Sequence, residues 1–158
     1  MEEGAIGEGV LTSLKREGIP LIKYASGDII QIESGACSCN YPGSGYRIRI
    51  LGRVSDRLLI NGKSIYPVAI RDVVVCYIPK VTGAMRILLK SLPPKIDSPL
   101  LLKIEHEVGM GKDALHTLAN KIVKHVSDRF GVPSKIEFVS PGDLGRVTQK
   151  TPFFEEQY

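Results

Sequence analysis

The stretch GRVSDRLLINGKSIYPVAIRDVVV, Gly52 to Val75, decides how the rest of the chain is read. Within it, RLLI and KSIY are short β-prone runs joined by Asn61-Gly62. Asn-Gly supplies the two positive φ angles that a type I′ turn needs, so the segment reads as a tight β-hairpin. Pro67 follows at once, where a first helical turn has no use for an N–H. Ile70, Val73, Val74 and Tyr77 then recur at helical spacing until Pro79. A hairpin that runs straight into an amphipathic helix opens a domain with both element types.

Downstream, Met85, Ile87 and Leu89 alternate with Arg86, Leu88 and Lys90, and Leu100, Leu102 and Ile104 alternate with Leu101, Lys103 and Glu105. These are two strands joined by the LPPKIDSP turn. Asp113 is expected to cap a long helix with Leu115, Leu118, Ile122, Val123, Val126 and Phe130 on one face, closed by Gly131 and Pro133. SKIEFVS is expected to be the last strand, and the segment after Pro141 a polar tail too poor in apolar residues to join the core. Upstream, GVLTSLKR, IPLIKYA, DIIQIES and YRIRILG read as meandering antiparallel strands broken by turns, with a long polar loop over residues 34–45. The expected fold class is therefore α+β: a small antiparallel β subdomain over residues 1–52, then a ferredoxin-like βαββαβ domain over 53–158 with two helices on one face of its sheet.

The chain has 158 residues, 43% hydrophobic and 24% charged, which suits a globular protein. No run approaches the roughly 18 apolar residues that span a bilayer, and the acidic start MEEGAIGEG is unlike a secretory signal. No membrane partner and a cytoplasmic location are expected. The net charge of +4 gathers in the second part, where sixteen Lys/Arg stand against eleven Asp/Glu. These basic residues are spread singly without interleaved aromatics, a pattern that suits a small polyanion better than nucleic acid.

Nucleophilic catalysis finds little support, because His106, His116 and His125 are scattered and read as surface residues. Glu105, His106 and Glu107 alternate across a strand and cannot converge on one metal. GMGK, Gly109 to Lys112, lacks the spacing and the Ser/Thr of a phosphate-binding loop and reads as a helix start. Cys37 and Cys39 would supply half of a tetrahedral zinc shell, and close pairing between them would be strained.

Two stretches carry a resemblance. EGVLTSLKREGIPLIKYASGDIIQI, Glu8 to Ile32, resembles the pattern G-E-L-V-x-T-x-L-x-x-E-x-x-P-L-I-R-Y-R-T-G-D of phenylacetate-coenzyme A ligases. GRVSDRLLINGKSIYPVAIRDVV is similar to that family's G-R-S-D-D-M-L-I-x-R-G-V-N-V-F-P-S-x-I-E-x-V. The loop holding Cys37 and Cys39 also resembles the family's C-x-C-G segment, which implies a structural Zn2+ shared with a larger domain. The family belongs to the adenylate-forming superfamily, so the resemblance implies the C-terminal portion of such a ligase, with Met1 a truncated start and the fragment inactive alone.

On the resemblance, Asp28 accepts hydrogen bonds from the ribose hydroxyls, Arg53 binds nucleotide at the domain junction, and Gly62 lines the pantetheine path in the thioester-forming state. Ser55 or Asp56 takes the hinge position, where the superfamily commonly has Asp or Lys. Lys150 matches the catalytic lysine of the tail, with Arg146 four residues before it as in P-R-S-E-G-K. Gln149 and Leu144-Gly145 depart from that pattern, as do Ala25 and Ser26 from the R-T preceding the family's Gly-Asp. The implied reaction joins a carboxylic acid to coenzyme A through an acyl-adenylate, using ATP with Mg2+. Other readings stay open: a synthetase that adenylates a deazaflavin coenzyme, an acyl-protein synthetase, or a non-catalytic ferredoxin-like binding module. A homodimer is left open as a partner.

Overall fold

In a computed structural model the described residues are 2–33, 39, 46–145 and 152–158. They form two compact units, Met1–Ser55 and Asp56–Tyr158.

The first unit is a three-stranded antiparallel sheet in the order β1 (Ile6–Leu11), β2 (Tyr24–Glu33), β3 (Arg47–Arg53). The sequence reading placed two strands between Ile19 and Ser34, whereas the structure has one. Ile19 and Lys23 adopt φ of 49° and 48° on either side of Leu21, so the IPLIK portion turns instead of pairing. Opposite β2, Ile30 pairs with Ile50 and Ile32 with Ile48 on one face of the sheet. On the other face Glu33 takes ion pairs from Arg47 at 3.3 Å and Arg49 at 2.6 Å.

In the second unit, β4 (Leu58–Ile60) and β5 (Lys63–Ile65) form the expected hairpin. Asn61 and Gly62 have φ of 50° and 77°, the two left-handed residues of a type I′ turn. Helix α1 (Pro67–Val75) starts at Pro67 as expected and buries Ile70, Val73 and Val74. Strands β6 (Val81–Leu89) and β7 (Leu100–His106) pair antiparallel, helix α2 (Lys112–Phe130) follows, and β8 (Ser134–Val139) returns parallel to β7. One face of the central strands, Met85, Ile87 and Leu89 with Leu100, Leu102 and Ile104, packs with Leu118, Ile122 and Val126 of α2, Val73 of α1 and Leu58, Ile60 and Ile65 of the hairpin in one core.

The α+β architecture and, in the second unit, the order from the hairpin to β8 are those expected, and three details differ there. Gly111 rather than Asp113 stands at the N-cap of α2, and no side chain caps that end; Asp113 lies in the first turn, where its charge favours the helix dipole. The hairpin forms its own two-stranded sheet, so the larger sheet runs β8-β7-β6-β9. Its fourth place is filled by β9 (Phe154–Glu156), parallel to β6, from the tail expected to stay outside the core. A single aromatic accounts for that: Phe154 packs against the core beside Ile87, while Glu155 and Glu156 keep the segment polar in composition.

Gly131 ends α2 in the left-handed conformation, φ 63° and ψ 33°, with its N–H donating to Ser127 O at 2.7 Å. Lys63 Nζ donates to Gly131 O at 3.0 Å, and a Cβ at Gly131 would collide with that amine. Gly131→Ala is expected to cost roughly 1–2 kcal/mol of unfolding free energy in chemical denaturation. Because Lys63→Ala removes the collision, the double variant should lose less than the two single losses combined; additive losses would contradict the contact.

Candidate functional site

The first cluster arises from register. Antiparallel pairing sets Asp28 of β2 directly opposite Arg53 of β3, and Arg53 Nε lies 3.4 Å from Asp28 Oδ1. The backbone on either side is shaped for this. Gly27 takes φ of 74°, its N–H donates to Glu8 Oε1 at 3.2 Å, and Asp28 N–H donates to Ser26 Oγ at 3.1 Å. A Cβ at residue 27 would make only an ordinary contact with the Arg53 guanidinium, at 3.9 Å, so it is the left-handed φ that calls for glycine. With side chains 34% and 54% exposed, the pair contributes at most about 1 kcal/mol to stability. Its chemical content is a carboxylate with oxygen acceptors and a planar cation, both partly open to solvent. Such a pair can accept from a vicinal diol and donate to a phosphate.

Ser55 and Asp56 lie in a short 3-10 turn, Val54–Asp56, and the two compact units divide between them. Both residues also engage in interactions of their own. Gly62 stands at the tip of the β4–β5 turn, with nothing within 4 Å of where a Cβ would be. A ligand could therefore lie against its backbone without displacing protein atoms.

Lys150, Arg146 and Cys37 lie outside the described residues. Cys39 is exposed in a turn and disulfide-bonded, which leaves its sulfur unsuited to metal ligation in this state. No group of three or more His, Cys, Asp or Glu stands together as a metal centre among the described residues. Among those residues no helix is long and apolar enough to cross a membrane.

His116 is exposed as expected, but His125 is half-buried, with its ring 6.0 Å from that of Tyr77 and Nδ1 3.3 Å from the Tyr77 hydroxyl. The same hydroxyl lies 3.2 Å from Lys121 O, to which it donates. Partial burial, aided by Cys76, pushes the Tyr77 phenol above its ordinary pKa, so it stays a neutral donor linking the turn after α1 to α2 at physiological pH.

The sequence reading missed one cluster. Arg86 and Glu105, from the face of β6 and β7 that points away from the helices, are only 7% and 6% exposed. Glu105 Oε1 accepts from the N–H groups of Gly142 (3.1 Å) and Leu144 (2.8 Å), and Oε2 accepts from Thr82 Oγ at 3.0 Å. Arg86 Nη2 donates to Leu144 O at 2.9 Å, and Nη1 to Met85 O at 3.0 Å. The alternation LLKIEH did carry a signal, charges at two outward positions, Lys103 and Glu105, of a strand that elsewhere reads as core. What it could not give was the loop to which those charges bind.

A family profile for the AMP-binding enzyme C-terminal domain matches residues 62–156. A phenylacetate-coenzyme A ligase of Thermus thermophilus is 29% identical over 162 residues, covering 92% of this chain and 35% of that protein. A second, from Aromatoleum evansii, is 26% identical over 156 residues, covering 94% and 33%. The chain thus spans about a third of the length of the curated relatives it matches. Among solved structures, 2-hydroxyisobutyryl-CoA ligase in the postadenylation state, in complex with R3-HIB-AMP, aligns with a TM-score of 0.81 at 27% identity, over 99% of this chain and 33% of that one. With most of its length inside the family profile, the chain belongs to the AMP-binding enzyme C-terminal domain family, and its likeness is to the C-terminal portion of phenylacetate-coenzyme A ligases.

Proposed function

We propose that this chain is the C-terminal working part of an ATP-dependent acyl-CoA ligase that acts on an aromatic carboxylic acid such as phenylacetate. The observation that carries the reading is the β2–β3 register, which sets the Asp28 carboxylate and the Arg53 guanidinium side by side behind a left-handed glycine. The family membership and the names of the relatives support it, since those proteins are phenylacetate-coenzyme A ligases.

In the first step a carboxylate oxygen attacks the α-phosphorus of ATP, an acyl–phosphate bond forms and pyrophosphate leaves. Asp28 accepts from the ribose hydroxyls, and Arg53 supplies positive charge at the junction of the two units. Lys150 places an ammonium beside the carboxylate oxygen and the α-phosphate, where negative charge builds as pyrophosphate departs. In the second step the thiol of coenzyme A attacks the acyl carbon, AMP leaves, and the thiol proton passes to solvent or phosphate. For that step the Asn61-Gly62 turn provides a side-chain-free surface for the pantetheine arm. Ser55 and Asp56 act as the hinge that lets Asp56–Tyr158 present Lys150 first and the hairpin second.

The 158-residue chain by itself is expected to release no pyrophosphate from ATP and phenylacetate, and turnover by it would contradict an incomplete site. In the ligase that carries this chain, Lys150→Ala should lower acid-dependent ATP–pyrophosphate exchange by roughly 10²–10³-fold while sparing thioester formation from preformed acyl-adenylate. Gly62→Leu should do the reverse, slowing transfer to coenzyme A and leaving pyrophosphate exchange near wild type. If each variant impaired both half-reactions equally, the division of labour proposed between tail and hairpin would be wrong.

A further inference from the structure

The outward face of the central strands holds the chain on both sides of residues 146–151. On the N-terminal side, Glu105 takes the two amide protons of Gly142 and Leu144, and Arg86 takes the carbonyl of Leu144. On the C-terminal side, β9 is hydrogen-bonded to the edge of β6, with Ile87 N donating to Phe153 O at 2.7 Å and Gln157 N to Leu89 O at 2.8 Å. Lys103, from the same outward face, forms an ion pair with Glu155. Three charged residues from two adjacent strands therefore reach both flanks of a segment that is distant from them in sequence.

The local backbone is adapted to this. Val81 pairs with His106 and Met85 with Ile104, so Thr82, Gly83 and Ala84 together face the single residue Glu105. Gly83 takes φ of 88°, and a side chain there would touch Val75 and Ile78 at 3.5 and 3.6 Å. The bulge turns Thr82 so that its hydroxyl donates to Glu105 Oε2 while accepting from Ala84 N at 3.2 Å. With donors on both oxygens, the Glu105 carboxylate is fixed in one rotamer. Burying a charge costs several kcal/mol unless it is fully hydrogen-bonded, and a sheet that needed only stability would be served as well by an apolar pair. What the charges add is a defined position for the loop.

We propose that Glu105 and Arg86, with Lys103 at the far flank, are positioning residues that grip the chain on both sides of residues 146–151, and that the adenylation step assigned to Lys150 depends on this grip. The proposal rests on the role assigned to Lys150 under the proposed function. These residues touch no substrate and act through the loop they grip, so their effect belongs to the first half-reaction alone.

The test uses the ligase that carries this chain, with phenylacetate as the acid, and Glu105→Gln, Lys150→Ala and the double variant. Gln at 105 is isosteric but uncharged: its carbonyl can still meet the two backbone N–H groups more weakly, while its amide nitrogen replaces the acceptor of the Thr82 hydroxyl, so the grip on the loop should loosen. Glu105→Gln is expected to slow pyrophosphate exchange by roughly tenfold to a hundredfold, the scale of a displacement of about 1 Å, and to leave thioester formation from preformed acyl-adenylate within about twofold. On the Lys150→Ala background it should add no further loss, and amide hydrogen exchange at Gly142 and Leu144 should quicken. Equal loss in both half-reactions, or losses that multiply in the double variant, would overturn the proposal. If Lys150→Ala were itself without effect, the role of the tail lysine would fall. If Lys150→Ala were impaired and Glu105→Gln were not, only the positioning inference would fall. Should Glu105→Gln not fold, Thr82→Val, which removes one of the three hydrogen bonds, should show a smaller loss with the same division between half-reactions; a loss shared by both would overturn the proposal equally.

Discussion

The antiparallel pairing of β6 with β7 is the constraint on which the second unit depends. A strand pair has two faces, and here both are committed. The inward face, Met85, Ile87, Leu100, Leu102 and Ile104, is completely or almost completely buried and gathers both helices and the hairpin into one core. The outward face carries Arg86, Lys103 and Glu105, which bind the loop after β8 and the strand after the tail. A slip of one residue in this register would exchange the two sets, placing charges in the core and leucines against the loop. The register is consequently pinned by a large free-energy difference, and the placement of the tail follows from the same pairing that builds the core.

Much of this was legible in the chain. Asn61-Gly62 announces its turn because few other dipeptides tolerate two positive φ angles, and Pro67 marks the start of α1 because its missing N–H is harmless only there. The alternation in β6 and β7 shows which residues face inward. Other features depend on partners distant in sequence. The strand at Phe154 is three residues long, and its pairing comes from the free edge of β6, which no local pattern reveals. The two strands expected around Lys23 became one because positive φ at Ile19 and Lys23, neither of them glycine, bends the chain where composition favoured extension.

The candidate nucleotide pair shows the same division. Asp28 read alone is a turn aspartate, and the resemblance to phenylacetate-coenzyme A ligases gave it a partner role. The structure adds that Arg53 lies opposite it, that the turn beside it needs the left-handed φ of Gly27, and that the bond between them is too exposed to be there for stability. Glu105 and Arg86 had no such motif to draw attention to them. Their significance comes from burial, from the Gly83 bulge, and from the loop they hold, all of which require the folded chain.

The claim that this chain handles an adenylate is tested most directly by coupling Asp28 to the ribose it is proposed to bind. The measurement is the affinity of the ligase that carries this chain for a stable acyl-adenylate analogue, with and without its ribose hydroxyls, in wild type and in Asp28→Ala. A hydrogen bond to a charged group is worth about 1.5–3 kcal/mol, so the account predicts a loss of roughly tenfold or more on Asp28→Ala with the intact ribose. With the deoxygenated analogue the same substitution should cost little. An equal loss with both analogues, or none with either, would contradict the account.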